Sequence, residues 1–270
     1  MEKKNVLFIF QEITPYLPES DKSLKGRYLP QGIQERGKEI RTFMPRYGCV
    51  NERRNQLHEV IRLSGMNLVI NDTDHPLIIK VASIQSARMQ VYFIDNEDYF
   101  HRKYVMTDKN DEPFADNDER ALFYAKGVLE TVIKLRWAPD LIHCQGWFGA
   151  FVPLLIKRTF ANDPLFSHSK VVFTAFDDHF PNKLSADLVE KVLSEDITKK
   201  DLKILEDPTY INLYKLAIQY SDGVIMGSQN VHPDVEKAIS DSGLPVLNYQ
   251  TDETYLEEYD LFYDKILANK

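Results

Sequence analysis

The side chains of this sequence that could form a ligand site lie in four loops, each following an apolar, strand-like run. These loops begin at Gln11, Arg46, Gln145 and Phe176. Ligands of parallel α/β sheets gather outside the carboxyl ends of the strands, so a site is expected here. The first loop carries Glu12 with other carboxylates and lysines, whereas a phosphate cradle would need glycines with free backbone N–H groups. A solvated charged loop is the simpler interpretation.

The third loop, HCQGWFGA, contains His143 and Trp147 beside two glycines. An indole in this setting can stack on a sugar ring or pack beneath the next helix, and the pattern leaves both interpretations open. The fourth loop contains the acidic and imidazole run 177–179. Consecutive residues at a strand end point in different directions, and no second group has metal-ligand spacing. We therefore predict no metal site.

A further group of polar side chains lies outside these loops, in the segment ADNDER. It comprises Asp116, Asn117 and Arg120 at the start of a predicted helix. Helix N-capping explains an Asp or Asn at this place without any further function. The dinucleotide fingerprint GxGxxG and the P-loop pattern GxxxxGK[ST] do not occur in the chain. The sequence thus predicts no cofactor.

Composition excludes several classes of function. The chain has 270 residues, of which 43% are hydrophobic, and a formal net charge of −8, which argues against a nucleic-acid surface. No apolar run approaches the roughly 18 residues of a membrane span, and VLFIF is too short for a signal-peptide core. Cys49 and Cys144 have no metal spacing and are interpreted as free thiols. We expect a cytoplasmic protein without a membrane or nucleic-acid partner.

The elements that must position these loops alternate between strands and helices. A strand over 5–10, a helix over 29–36 and a strand over 39–44 form a predicted βαβ unit. Short runs near residues 65–95 predict an inserted β meander, followed by a long loop over 95–118. From residue 119 onward helices and strands alternate again, including a helix over 186–205 and a helical end from Thr251. This order predicts the α/β class, with a Rossmann-like doubly wound parallel sheet.

Six stretches, in order, resemble the glycogen and starch synthases, the family 5 glucosyltransferases that use ADP-glucose. The family's S-E-x-x-P-F-x-K and L-P-x-A-L-x-x-x-G-H-x-V-x-x-x-x-P-x-Y segments are similar to VLFIFQEITPYLP and LPQGIQERGKEIRTFMPRYG. Its D-N-x-x-R-F helix and P-D-I-V-H-x-H-D-W-H segment are similar to ADNDERALFYAKGVLE and APDLIHCQGWFGAFVPLLIK. Its V-x-T-I-H-N and I-N-x-x-K segments are similar to VVFTAFDDHF and INLYKLAIQYSDGVIMGS.

The resemblance implies the N-terminal half of a GT-B glycosyltransferase, a fold of two Rossmann-like domains that face a cleft. It implies a single domain over residues 1–270, with the family's C-terminal domain absent from the chain. In the family the N-terminal domain binds the glucan acceptor, and Asp116 falls on an acidic active-site residue. The residues that match the family's site, and are therefore predicted to bind substrate, are Glu12, Asp116, Asn117, Arg120, His143 and Trp147.

The first loop departs from the family pattern. The Lys of the family's K-x-G-G-L segment falls on Pro18, and its two glycines fall on Ser20 and Asp21. A charge donor is lost, and a carboxylate lies where backbone should approach a diphosphate.

The loops after the later strands depart as well. In the H-x-H-D-W-H segment, Gln145, Gly146 and Phe148 replace the second His, the Asp and the last His. The histidine of V-x-T-I-H-N falls on Phe176, and its Asn falls on Asp177. A phenylalanine ring cannot hydrogen-bond a sugar hydroxyl.

These losses favour a non-catalytic relative of the synthases, a glucan-binding or regulatory module of glycogen metabolism whose ligand is an α-glucan. Two alternatives stay open: an active glucosyltransferase completed by a partner chain that supplies the missing half, and an interaction protein that reuses the fold. The fold by itself does not decide between them, because function resides in the site.

Overall fold

The computed structural model describes residues 3–268, so residues 1, 2, 269 and 270 of the predicted domain lie outside the described range. Ten strands form the sheet, with the order β10-β9-β8-β7-β1-β2-β6-β5-β3 and with β4 paired to β5. The strands are β1 (Asn5–Ile9), β2 (Glu39–Pro45), β3 (His58–Glu59), β4 (Met66–Ile70), β5 (Thr73–Ile84), β6 (Met89–Asp95), β7 (Leu141–Gln145), β8 (Lys170–Ala175), β9 (Gly223–Met226) and β10 (Val246–Leu247).

Eight α-helices connect or cover these strands within the described residues. They are α1 (Asp21–Glu35), α2 (Glu97–Phe100), α3 (Asn117–Leu135), α4 (Val152–Lys157), α5 (Leu188–Val192), α6 (Tyr210–Gln219), α7 (Pro233–Asp241) and α8 (Tyr255–Ala268). None of them is long and apolar enough to cross a bilayer.

The sheet is doubly wound. Strand β1 pairs in parallel with β2 on one side and with β7 on the other, and β8, β9 and β10 continue outward from β7 in parallel. The predicted α/β class and parallel sheet are therefore confirmed. Strand β5 pairs antiparallel with β4 and β6, as a meander requires, and β6 joins the meander to the main sheet by pairing in parallel with β2.

Two predicted helices have the wrong extent. Helix α1 begins eight residues before the predicted start, because Ser20 and Ser23 form a capping box and the helix continues through Pro30. The predicted helix over 186–205 consists only of α5 and a short 3-10 turn at Lys203–Glu206, with turns between them. Its mostly polar sequence offers no continuous apolar face to bury.

Helix α8 completes the core. A parallel sheet needs cover on both faces, and α8 lies beside α1 over the strands that α1 leaves open. The Tyr263 hydroxyl hydrogen-bonds His143 of β7 at 2.7 Å, and Lys38, in the turn between α1 and β2, contacts Asp260 at 2.6 Å. A Cβ added to Gly223 of β9 would lie 2.6 Å from Ile266, so this helix approaches the sheet closely. The predicted helical end is confirmed.

Candidate functional site

The carboxyl ends of β1, β7 and β8 bring three of the predicted loops together. Lys22, in the first turn of α1, lies 3.2 Å from Glu12 and 3.3 Å from Asp178, which follows β8. Ser20 donates a hydrogen bond to Glu12 at 2.8 Å. Tyr214 of α6 donates a further hydrogen bond to Asp178. The first loop is thus a network of hydrogen bonds and ion pairs and is less solvated than the sequence suggested.

The charges of this network compensate one another. Burial opposes the charge of Lys22, but the neighbouring carboxylates of Asp178 and Glu12 raise its pKa above the ordinary value. Burial raises the pKa of Asp178 although Lys22 lies beside it. One ammonium therefore faces two carboxylates, and a ligand phosphate would meet negative charge beside this lysine.

Two departures from the family pattern have structural consequences. Gly146 has a φ of +69°, and a Cβ there would lie 2.8 Å from the Asp178 carboxylate, so this side chain occupies space that an Asp at position 146 would need. Phe176 is 3% exposed, and a Cβ on Gly227 would lie 2.7 Å from its ring. Phe176 therefore packs against the backbone after β9 and belongs to the core.

Arg120, predicted to bind substrate, is fully buried. Its guanidinium donates to the carbonyls of Tyr99 at 2.7 Å and Val105 at 2.8 Å, and to Asn117 Oδ1 at 2.6 Å. The Asn117 amide in turn donates to the Met106 carbonyl at 2.9 Å. These contacts fix the long loop between α2 and α3. Because the side chain is enclosed and most of its N–H groups donate to this loop, its role in this structure is to hold the loop.

Asp116 occupies the N-cap position of α3, but its side chain makes no capping hydrogen bond. Both of its carboxylate oxygens pair with the guanidinium of Arg102, one of them at 2.6 Å. The interpretation of Asp116 as a helix cap is therefore wrong. Its carboxylate is 27% exposed and is held in place by Arg102, so it remains reachable from solvent.

His143 and Trp147 differ in accessibility. His143 is fully buried, with Nε2 at 2.6 Å from the Thr174 hydroxyl and Nδ1 at 2.7 Å from the Tyr263 hydroxyl, and burial lowers its pKa to about 3. It anchors α8 to the sheet and lines neither of the two cavities described below. Trp147 is 5% exposed and packs edge-on against Phe180, yet part of it lines a cavity. The packing interpretation of Trp147 therefore holds for most of the ring, whereas stacking on a sugar stays a prediction.

A groove runs along this edge of the sheet. A cavity of about 590 Å³ lies between the loop after β8 and the loop after β9, and a smaller one of about 130 Å³ lies beside Trp147 and Asn117. The two cavities share Phe180, Asn182 and Lys183 in their linings and are therefore adjacent, and together they are called the groove. Its lining includes these side chains and the following: Phe114, Asn117, Trp147, Asp177, His179, Tyr210, Asn230 and His232.

Sequence reasoning missed much of this groove. From the sequence, the run 177–179 is considered as a metal or acid/base cluster, and Asp177 falls on the family's Asn. The loop from Asn230, which precedes the unpredicted helix α7, is not considered. The signal that could have found that loop is His232-Pro233, which caps and begins this helix after a short strand. Within residues 3–268, no group of three or more His, Cys, Asp or Glu side chains is placed to hold a metal ion.

Comparison with known proteins agrees with this architecture. A family model described as the starch synthase catalytic domain matches residues 5–245. A glycogen synthase from Chlorobium limicola is 35% identical over 201 residues, covering 73% of this chain and 41% of that protein. A glycogen synthase from Chlorobium luteolum is 31% identical over 239 residues, covering 87% of this chain and 48% of that protein. The chain spans about half the length of the curated relatives it matches.

A solved structure supports the fold. The catalytic domain of starch synthase IV from Arabidopsis thaliana, bound to ADP and acarbose, superimposes with a TM-score of 0.75 over 93% of this chain and 52% of that chain, at 17% identity. The mixed α/β sheet described above therefore matches the GT-B fold of that enzyme. With the family match and the relatives above 30% identity, the chain belongs to the glycogen and starch synthase family.

Proposed function

We propose that this chain binds an α-glucan in the groove at the carboxyl edge of its sheet and does not by itself transfer glucose. The observation that carries the proposal is the groove's lining, in which aromatic rings alternate with hydrogen-bonding side chains. Aromatic faces stack on pyranose rings, while amides, imidazoles and carboxylates exchange hydrogen bonds with hydroxyls. A neutral, polyhydroxylated chain is the ligand that this combination fits.

The lack of transfer activity is inferred from the first loop and the start of the loop after β8, at the same edge of the sheet. Stabilising the charge of a departing diphosphate is usually a leading catalytic contribution, and removing one such donor typically costs about 100-fold or more. Here the half-buried ammonium of Lys22 is engaged by Glu12 and Asp178. Phe176, in place of the family's histidine, offers no hydrogen bond. The acceptor side is thus better preserved than the donor side.

Electrophoresis of the native protein in a gel containing glycogen tests the binding. The wild-type protein should be retarded relative to a glycogen-free gel. The variant His179→Ala/Asn182→Ala removes two exposed groove side chains and should weaken binding about tenfold, since each lost hydrogen bond contributes about 0.5–1.5 kcal/mol. The matched control His168→Ala/Asn162→Ala changes an exposed His and Asn in the loop before β8, at the opposite edge of the sheet. It should bind like the wild type.

Two outcomes would overturn the proposal. If the wild-type chain migrates unretarded, the glucan is not its ligand, and an interaction protein that reuses the fold takes its place. The second outcome concerns catalysis, measured with labelled ADP-glucose, a malto-oligosaccharide and stoichiometric protein. Label in the glucan above a protein-free blank would contradict the inactivity. Label that appears only when a second protein co-purifies would instead support a transferase completed by a partner chain.

A further inference from the structure

A second pocket lies outside the groove, where α1 meets the segment that leads into α8. Its volume of about 330 Å³ falls at the lower end of the range of roughly 300–1,000 Å³ that is typical of small-molecule sites. Its polar and aromatic lining consists of Asp21, Lys25, Tyr28, Tyr249, Asp252 and Tyr255. The last three follow residue 245, where the match to the family ends, so half of this lining comes from sequence outside the matched span.

Two of the pocket's aromatic rings are unusually open. Tyr28 is 49% exposed and Tyr249 is 37% exposed, and they are among the few large apolar side chains at the surface of the described residues. The Lys25 ammonium lies 5.1 Å from the centroid of the Tyr249 ring and donates to the Gly227 carbonyl at 3.1 Å. Lys25 therefore holds this ring in place, so stacking of a ligand on the ring costs little further side-chain entropy.

The pocket's carboxylates are exposed and available. Within residues 3–268, the side chains of Asp21 and Asp252 accept no hydrogen bond and form no close ion pair. Burial lowers the pKa of Lys25, and the nearby carboxylates of Asp21 and Asp252 act in the opposite direction. Two carboxylates against one ammonium disfavour an anionic ligand, and Lys25 already occupies the position of a cation at Tyr249. The ligand chemistry that remains is that of neutral hydroxyl groups.

We infer that this pocket is a second sugar site, in which a glucosyl unit stacks on Tyr249 or Tyr28 and donates hydroxyl hydrogen bonds to Asp21 and Asp252. The identity of the sugar rests on the proposed function, because an α-glucan that binds in the groove also presents glucosyl units to this pocket. Two weak sites on one chain bind a branched glycogen particle more tightly than either site alone, because binding at the first site raises the effective concentration of glucosyl units at the second. The second site would thus retain the chain on glycogen while short glucans exchange rapidly.

Calorimetric titration with maltotriose tests the second site separately from the groove. The wild-type chain should bind two equivalents. At maltotriose concentrations that leave a site about tenfold weaker largely unoccupied, Tyr249→Ala/Asp252→Ala should bind one equivalent, and so should the groove variant His179→Ala/Asn182→Ala. Tyr104→Ala is a matched control, because its ring is 42% exposed and lines neither the groove nor this pocket among the described residues. It should keep two equivalents.

The outcomes distinguish failure of this inference from failure of the proposed function. One equivalent in the wild type that survives Tyr249→Ala/Asp252→Ala and is lost in the groove variant overturns the second site alone. One equivalent that survives the groove variant and is lost in Tyr249→Ala/Asp252→Ala overturns binding in the groove and supports the second site. No binding at all overturns both. Asp252→Asn keeps an acceptor but removes the charge, so it should lose at most about tenfold in affinity for a sugar, and a larger loss would overturn the assignment to a neutral ligand.

Discussion

Replacement of Arg120 separates a structural role from a binding role. The sequence placed this residue among the substrate contacts, whereas the structure encloses it completely, with three acceptors within 2.8 Å. Burial lowers the pKa of Arg120 to about 10, which leaves the guanidinium charged at neutral pH. The rings of Phe100 and Phe114 lie 5.4 and 5.2 Å from its central carbon. No ion pair within residues 3–268 involves it, so carbonyls and aromatic faces stabilise its charge.

The magnitude of the loss follows from these contacts. Hydrogen bonds to a charged group contribute about 1.5–3 kcal/mol each, so losing three in Arg120→Ala should cost at least about 4.5 kcal/mol. Domains are stable by only about 5–15 kcal/mol, so this variant retains little stability. Arg120→Lys keeps the charge but loses the planar fork, and should cost about 2–3 kcal/mol.

Urea unfolding followed by far-ultraviolet circular dichroism measures this loss. With a slope of about 3 kcal/mol per molar urea, the midpoint of Arg120→Ala should fall by about 1.5 M. The control is Arg102→Ala, which breaks the partly exposed pair with Asp116 and should cost no more than about 1 kcal/mol. Arg120→Lys supplies a graded intermediate in case the alanine variant does not fold.

One result would refute the structural role of Arg120. If Arg120→Ala unfolds within about 1 kcal/mol of the wild type but is no longer retarded by glycogen, the guanidinium contacts the glucan and the buried network is incorrect. The expected result is the reverse. Arg120→Lys should keep its retardation in every population that remains folded.

Three further predictions concern the core. Because burial lowers the pKa of His143 from 6.5 to about 3, the unfolded chain binds a proton that the folded chain does not. The contribution of this residue to the free energy of unfolding is complete above pH 6.5 and should fall by about 1.4 kcal/mol per pH unit between pH 6.5 and 3. Urea titrations at several pH values measure this slope, and His143→Gln should lack it. Gly26→Ala places a Cβ 2.3 Å from the Glu12 carbonyl and should cost about 1–3 kcal/mol in urea unfolding, whereas wild-type stability would disprove this close approach. Tyr263→Phe removes the hydroxyl that binds His143 and should lower the free energy of unfolding by about 1 kcal/mol, and an unchanged urea midpoint would argue against this anchor for α8.

The sequence alone determined the class of fold and the family. Apolar runs such as VLFIF, bounded by loops, predict buried parallel strands because their side chains are covered on both faces, and this information is local. The motifs around Asp116 and His143 kept their order along the chain, which sufficed for the resemblance. Errors arose where local patterns compete. The apolar pattern predicts a helix from position 29, while the actual start depends on the Ser20–Ser23 capping box.

Only the tertiary structure decided which matched residues can reach a ligand. Arg120 and His143 are polar and lie in family motifs, but four of their partners are 15 to 120 positions away in sequence, at Val105, Tyr99, Thr174 and Tyr263. Burial of a polar side chain depends on whether such distant groups satisfy its hydrogen bonds, and no local pattern records this. The same holds for the groove and for the pocket beside α8. Both are formed by segments far apart in sequence that meet only when the sheet and its helices are assembled.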